Sequence, residues 1–270
     1  MTDSNCQSEP PLPQAIILAA GKGTRMVEGD LPKVVLPVAG RPMVCWVVDA
    51  CRAAGVERCI VIVGYRGELV RQALADQRDC VFVEQTEQLG TGHATQVAGP
   101  VLGDGDATDL FVLAGDGPLI RARTLSRLLT VHRRSKAAAT LATAVLDDPE
   151  GYGRIVRNGD GSFAAIVEQA DATADQLKIN EVNPSYYCFR SDRLFDALLQ
   201  VRNDNQKGEY YLTDVPGLLK QQGDRVTVIE AVPPQDVLSI NTAQQLAQVD
   251  QVLCDRLDRH RAEPTKPAAP

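Results

Sequence analysis

The sequence lacks most of the features that announce a function at once. Its 28 lysines and arginines are outnumbered by 35 aspartates and glutamates, for a net charge of -7. That balance argues against a general nucleic-acid binder, which carries a basic face to meet the phosphate backbone. Seven cysteines (Cys6, Cys45, Cys51, Cys59, Cys80, Cys188 and Cys254) are present, and no two stand in CxxC spacing. Neither a zinc knuckle nor a dithiol pair is signalled; most sit in apolar runs and read as buried small hydrophobes of a reducing compartment. No apolar run approaches the roughly 18 residues of a membrane span. The opening MTDSNCQSEPPLPQ has no basic segment followed by an apolar core, so no membrane is expected and the cytoplasm is the expected setting. There are only three histidines, His93, His132 and His260, and they read as structural or surface residues. No internal repeat is visible.

What remains is an ordinary globular composition, 44% hydrophobic and 23% charged over 270 residues, enough for one large core. From Ala15 to about Val145, apolar β-branched runs (AIILA, RCIVIVG, CVFVE, DLFVLAG) alternate with helix-patterned segments (MVCWVVDACRAA, ELVRQALAD, ATQVAGPVL, TLSRLLTVHRR). The alternation predicts βαβ crossovers and a Rossmann-like, mainly parallel sheet flanked by helices. Pro42 suits the first turn of its helix, Val44, Val47, Val48 and Cys51 form its apolar stripe, and Gly55 fits its stop. Further on, GRIVR and SFAAIVEQ flank the turn NGDG as a hairpin, followed by the strand SYYCFR, the helix RLFDALLQV, a further helix and the strand VTVIEA. An antiparallel add-on to a mixed sheet is expected. The reading places one domain at 14–256, with disordered segments at 1–13 and 257–270, the latter ending in the Pro/Ala-rich EPTKPAAP.

In open α/β sheets, ligands gather beyond the carboxyl ends of the strands. After the first strand comes the loop Gly21, Lys22, Gly23, Thr24, Arg25, then Leu31, Pro32 and Lys33. Glycine amides with two nearby cations suit phosphate. It is neither of two familiar phosphate loops, because GxxxxGK[ST] and GxGxxG would both require glycine where Met26 stands. After FVLAG comes Asp116 between two glycines, a position at the sheet edge that suits a hard cation, although a turn aspartate would look the same. Asn241, after VLSI, is its candidate partner.

The segments LAAGKGTRM, LPKVVLPVAGRPM, EQLGTGHA, GDGPL, GYGRI, IVEQADAT, EVN and GEYYLTD occur in that order. Together they resemble the nucleotidyltransferase domain of bacterial N-acetylglucosamine-1-phosphate uridylyltransferases, over about residues 14–249. The resemblance implies the nucleotide-diphospho-sugar transferase fold. It also implies a reaction in which UTP and N-acetylglucosamine 1-phosphate give pyrophosphate and UDP-N-acetylglucosamine, a cell-wall precursor, with Mg2+ as cofactor. Carried across by motif, Arg25 and the loop Leu18, Ala19, Ala20, Gly21, Gly23 and Thr24 grip the triphosphate, and Lys33 reaches the α-phosphate. Gln85, Gly90 and Thr91 fall in the uracil-reading segment, with Thr91 also suited to a helix N-cap. Gly153, Glu168, Asn183 and Thr213 fall where the family holds the sugar, and Asp116 with Asn241 match the metal pair.

The sequence departs from this family in three places. Ala114 stands where the family has tyrosine, and Pro184 and Ser185 replace Thr-Gly in the segment lining the sugar. The family's bifunctional members continue into a hexapeptide-repeat β-helix, whereas this sequence stops at Pro270, so acetyl transfer and β-helix trimerisation are not expected. The oligomeric state is left open. Alternatives are a nucleotidyltransferase for another sugar 1-phosphate, such as glucose 1-phosphate, or for another nucleotide, and a non-catalytic sugar-nucleotide-binding regulator.

Overall fold

The structure is a computed structural model, and it describes residues 11–23, 31–103, 107–238 and 240–262. Strand β1 (Gln14–Ala19) leads to a two-residue hairpin of β2 (Pro37–Val38) and β3 (Arg41–Pro42), then helix α1 (Met43–Ala53). Next come β4 (Arg58–Val63), α2 (Gly67–Ala73), β5 (Cys80–Glu84), α3 (Thr91–Gln96), α4 (Gly99–Leu102), β6 (Asp109–Ala114) and α5 (Ala122–Ser135). The second half holds β7 (Ala139–Val145), β8 (Gly153–Arg157), β9 (Phe163–Val167), β10 (Glu181–Arg190) and α6 (Ser191–Leu198). It closes with α7 (Val215–Gln221), β11 (Val226–Glu230) and α8 (Ala243–Ala262).

The main sheet runs β11-β7-β10-β6-β1-β4-β5, with β8 pairing on β10 and β9 on β8. Pairs β1–β4, β1–β6, β4–β5 and β7–β11 are parallel, while β10 is antiparallel to both of its long neighbours. This is the mixed, mainly parallel sheet with a small antiparallel extension that the alternation implies. Alternate residues of each central strand face opposite layers. Ile17 and Val61 enter a core with the α1 residues Val44, Val47, Val48 and Cys51 and the α5 residues Leu125 and Leu128. Their neighbours Ile16 and Ile60 enter a second core with α3, α6 and α7. A third cluster seats Val249 and Leu253 of α8 against Val38, Met43, Leu119 and Ile240.

Several details differ from the sequence reading. Pro42 caps α1 and is not its first residue. The segment ATQVAGPVL is two short helices, interrupted near Gly99. Strand β7 and helix α8 carry no signal that the reading used, and α8 extends to Ala262, past residue 257 where a tail was placed. Of the cysteines, Cys45, Cys51, Cys59 and Cys188 are buried and unbridged, and Cys80 and Cys254 are partly so; Cys6 lies outside the described residues. No helix among the described residues is long and apolar enough to cross a membrane.

Candidate active site

The chain reverses its direction of sheet growth at β1, which has β4 on one side and β6 on the other. Such a switch point opens a crevice beyond the strand ends. A cavity of about 360 Å³ lies there, bounded by Leu18, Ala20, Gly21 and Gly23 from the first loop and by Gln85, Gly90 and Thr91. Ala19 is buried in the core behind it. Thr24 and Arg25 lie outside the described residues. Lys22 turns to the Tyr65 ring, with Nζ 5.1 Å from its centroid.

Two glycines in this wall are sterically required. Gly23 has φ +66°, and a Cβ on it would come within 2.6 Å of Lys33 Cβ, so the loop and the lysine segment pack backbone to side chain. Gly90 has φ +108°, and a Cβ there would meet Tyr210 O at 2.7 Å. The closeness of that second approach is what docks GEYYLTD on the loop after β5: Gly92 N donates to Tyr210 O, and Tyr210 N to Leu89 O. Gly90 is the cap of α3. Thr91, expected as a helix N-cap, is the first helical residue, and its hydroxyl accepts from Leu212 N–H at 3.0 Å. The loop after β5 and the segment GEYYLTD are thereby tied together.

Gln85 is buried, with its amide directed by two neighbours: Nε2 donates to Gly90 O and lies 3.0 Å from His93 Nδ1. His93 thus contacts the side chain of a residue that lines the cavity. Gln88, not singled out from sequence, also lines it and donates to Ala20 O at 2.9 Å. Its only signal was membership of the same EQTEQLGTGHA run.

A second cavity, about 200 Å³, adjoins the first and is bounded by Gly153, Glu168, Asn183, Pro184 and Tyr152 among others. Lys33, Ala114, Asp116, Glu168 and Ser185 line both cavities and so form the seam between them. At this seam Lys33 Nζ donates to Asp116 Oδ2 at 2.6 Å. Thr213, from the 3-10 turn Leu212–Asp214, lines the first cavity and donates to Glu168 Oε1 at 3.0 Å. Burial pushes the Glu168 carboxyl above its ordinary value, with the Thr213 hydroxyl acting against that. Asn183 donates to the phenol of Tyr187 at 2.5 Å, a fully buried tyrosine that sequence reading assigned no role.

Asn241 lines neither cavity, although its neighbour Ile240 lines the second; its N–H donates to Gln245 Oε1 at 2.7 Å. No cluster of three or more His, Cys, Asp or Glu side chains that could hold a metal occurs among the described residues. Asp116 alone, a partly exposed carboxylate at the seam, matches the chemistry of magnesium, which keeps water and substrate phosphate as most of its ligands and takes one or two carboxylates from protein.

Residues 15–222 match the MobA-like NTP transferase domain. The chain belongs to that family. Among curated proteins it is 45% identical over 243 residues to the bifunctional protein GlmU of Brevibacillus brevis, covering 90% of this chain and 52% of that one. With GlmU of Heliobacterium modesticaldum the identity is 47% over 245 residues, covering 91% and 53% respectively. The chain thus spans about half the length of these relatives. The resemblance to the uridylyltransferase domain, drawn from eight ordered segments, is accordingly supported. In architecture the chain is similar to a crystallised UDP-glucose pyrophosphorylase complexed with UDP-glucose, with a TM-score of 0.74 at 17% identity, covering 91% of this chain and all of that one. That likeness establishes the fold, a nucleotidyltransferase fold. The family is one of nucleotidyltransferase enzymes.

Proposed function

We propose that the chain transfers the uridylyl group of UTP to N-acetylglucosamine 1-phosphate, giving UDP-N-acetylglucosamine and pyrophosphate. The observation that carries this reading is the meeting of a glycine-walled cavity and a polar cavity at the Lys33–Asp116 pair. An oxygen of the sugar phosphate attacks the α-phosphorus, and the bond to the bridging oxygen of the leaving pyrophosphate breaks. The attacking phosphate is largely dianionic at neutral pH, with a second pKa near ~6, so no protein base is needed. Catalysis then rests on positioning and charge neutralisation.

In this reading Lys33 neutralises the α-phosphate, Arg25 and the amides of Gly21, Gly23 and Thr24 hold the triphosphate, and Gln85 with Gly90 and Thr91 reads uracil. Gly153, Glu168, Asn183 and Thr213 select the sugar, since polar groups left unpaired reject a wrong ligand strongly. Mg2+ would be held by Asp116 at the seam and would supply charge neutralisation at the phosphates; Asn241, the second ligand that the resemblance implies, lies outside both cavities beside Ile240. The working environment is the cytoplasm.

The test is a panel of nucleoside triphosphates against sugar 1-phosphates, with and without magnesium, reading pyrophosphate release. The fastest turnover is expected for UTP with N-acetylglucosamine 1-phosphate, and only with the metal. Preference for glucose 1-phosphate or another nucleotide would overturn the substrate assignment. Binding without release under every condition would make the protein a sugar-nucleotide-binding regulator.

A further inference from the structure

Strand β10 carries two successive tyrosines that enter opposite layers. Just before them the strand is irregular: Ser185 has φ +62°, and the register with β7 shifts between Val182 and Tyr186. Tyr187 enters the core that holds α3, α6 and α7, and its phenol accepts from Asn183 Nδ2 at 2.5 Å. Tyr186 enters the core shared with α1 and α5 and is 3% exposed. Its hydroxyl has no hydrogen-bond partner among the described residues. Nor is it one of the fully enclosed polar atoms that lack a partner, which belong to His132, Arg154, Asp171 and Tyr211; one side of it is therefore open. Packing alone would be served by phenylalanine, and a buried tyrosine ordinarily finds a partner for its hydroxyl.

The surroundings of the hydroxyl show where it opens. A Cβ added to Gly117 would lie 3.2 Å from it, and Asp236, Asp116 and Tyr152 are close enough to act on its charge. Gly117, Asp116, Asp236, Tyr152 and Tyr186 itself all border the second cavity. Asp116 marks the seam end of that cavity, where it accepts from Lys33. Burial and the nearby carboxylates hold the phenol above its ordinary pKa, so it keeps its proton and remains a neutral donor. We infer that Tyr186 is a substrate-binding residue whose hydroxyl donates to the phosphate of the sugar 1-phosphate, alongside Lys33 at the seam. A phosphate oxygen supplies the acceptor that the protein does not, and a charge-assisted bond of this kind adds direction to the attraction of the lysine. The inference rests on the nucleotidyltransfer reading above and adds to it a phosphate contact.

Tyr186→Phe removes the hydroxyl and keeps the buried ring. Turnover is read as pyrophosphate release, UTP affinity by equilibrium titration, and Tm by thermal unfolding. The variant should raise KM for N-acetylglucosamine 1-phosphate about tenfold or more, as expected for a lost hydrogen bond to a charged group. UTP affinity and the magnesium needed for half-maximal turnover should stay within about twofold of wild type. Glucose 1-phosphate should lose by the same factor, because the phosphate is common to both sugars. Tm should stay within about 2 °C of wild type, since the hydroxyl gives up no bond within the protein. A KM within about twofold of wild type overturns the assignment. So does a loss confined to one sugar, which would move the contact to the sugar ring, or a raised magnesium requirement, which would move it to the metal. A fall in Tm of more than about 4 °C would make the hydroxyl structural and overturn it too. Failure of the parent reading is a separate outcome, because wild-type protein would then release no pyrophosphate from any substrate pair.

Discussion

Lys33 Nζ donates to Asp116 Oδ2 at 2.6 Å across 83 residues of sequence, which joins the loop after β1 to the end of β6. The pair is partly exposed, with side-chain accessibilities of 17% and 35%, so its net contribution to stability is about 1 kcal/mol or less. Its placement at the seam of the two cavities gives it the catalytic part that the proposed function assigns. Lys33→Ala should lower turnover on the order of a hundredfold or more, as loss of one preorganised charge partner does, while Tm stays within about 3 °C of wild type. Pyrophosphate release and thermal unfolding on the same preparation check this. Near-normal turnover would remove Lys33 from its role.

Gln85 differs from Lys33 in being buried and held at a fixed angle by Gly90 O and His93. An amide so constrained presents one donor-acceptor edge, which is the requirement for telling one base from another. Gln85→Ala should raise KM for UTP about tenfold and reduce the preference for UTP over CTP, leaving KM for the sugar phosphate unchanged. His93→Ala should produce a smaller effect of the same kind, because the amide would keep its contact to Gly90 and lose its second restraint. Equal losses for both substrates would place Gln85 outside the base-reading wall.

The parallel half of the sheet was legible because its strands are short apolar runs alternating with helix-patterned segments, and the loops after them carry the polar residues that line the cavities. Strand β7 was not. Its sequence ATLATAV is rich in alanine, a poor strand former, and six of its seven residues are buried, so it shows neither alternation nor a β-branched run. Helix α8 is rich in charged and polar residues, and among its residues with described burial Val249 and Leu253 alone are buried, a stripe too thin to mark a packed helix. At the site, motifs located Lys33, Asp116, Glu168 and Thr213 one by one. The Lys33–Asp116 and Glu168–Thr213 bonds are products of tertiary packing. The positive φ of Ser185 was equally hidden, since serine carries no sequence signal for that conformation.

Helix α8 is anchored through an ion cluster that also borders the second cavity. Asp236, whose side chain is 1% exposed, accepts from Arg121 Nε and Nη2 and from Arg256 Nη2 of α8. Arg256 Nη1 reaches Leu119 O at 2.8 Å, and the Tyr152 phenol donates to Val237 O. Breaking a buried charge pair leaves its partner uncompensated and costs about 3–5 kcal/mol. Asp236→Asn should therefore lower Tm on the order of 10 °C. An unchanged Tm would show the cluster to be energetically neutral.

Asp214 stands next to Thr213 and is pushed up to about 6 by burial and by the neighbouring carboxylates of Glu168, Asp171 and Asp204. Its ordinary value is 3.8, so between these two pH values the folded chain holds more protons at this group than the unfolded chain. Stability from this residue must then fall as pH rises through that window, and the penalty is complete above about 6. Asp214→Asn cannot ionise and escapes it. The variant and wild type should unfold at similar temperatures at pH 4, and the variant should lead by about 2–6 °C at pH 7. A difference in Tm that stayed constant between pH 4 and pH 7 would mean that the Asp214 charge is no costlier in the folded protein than in water.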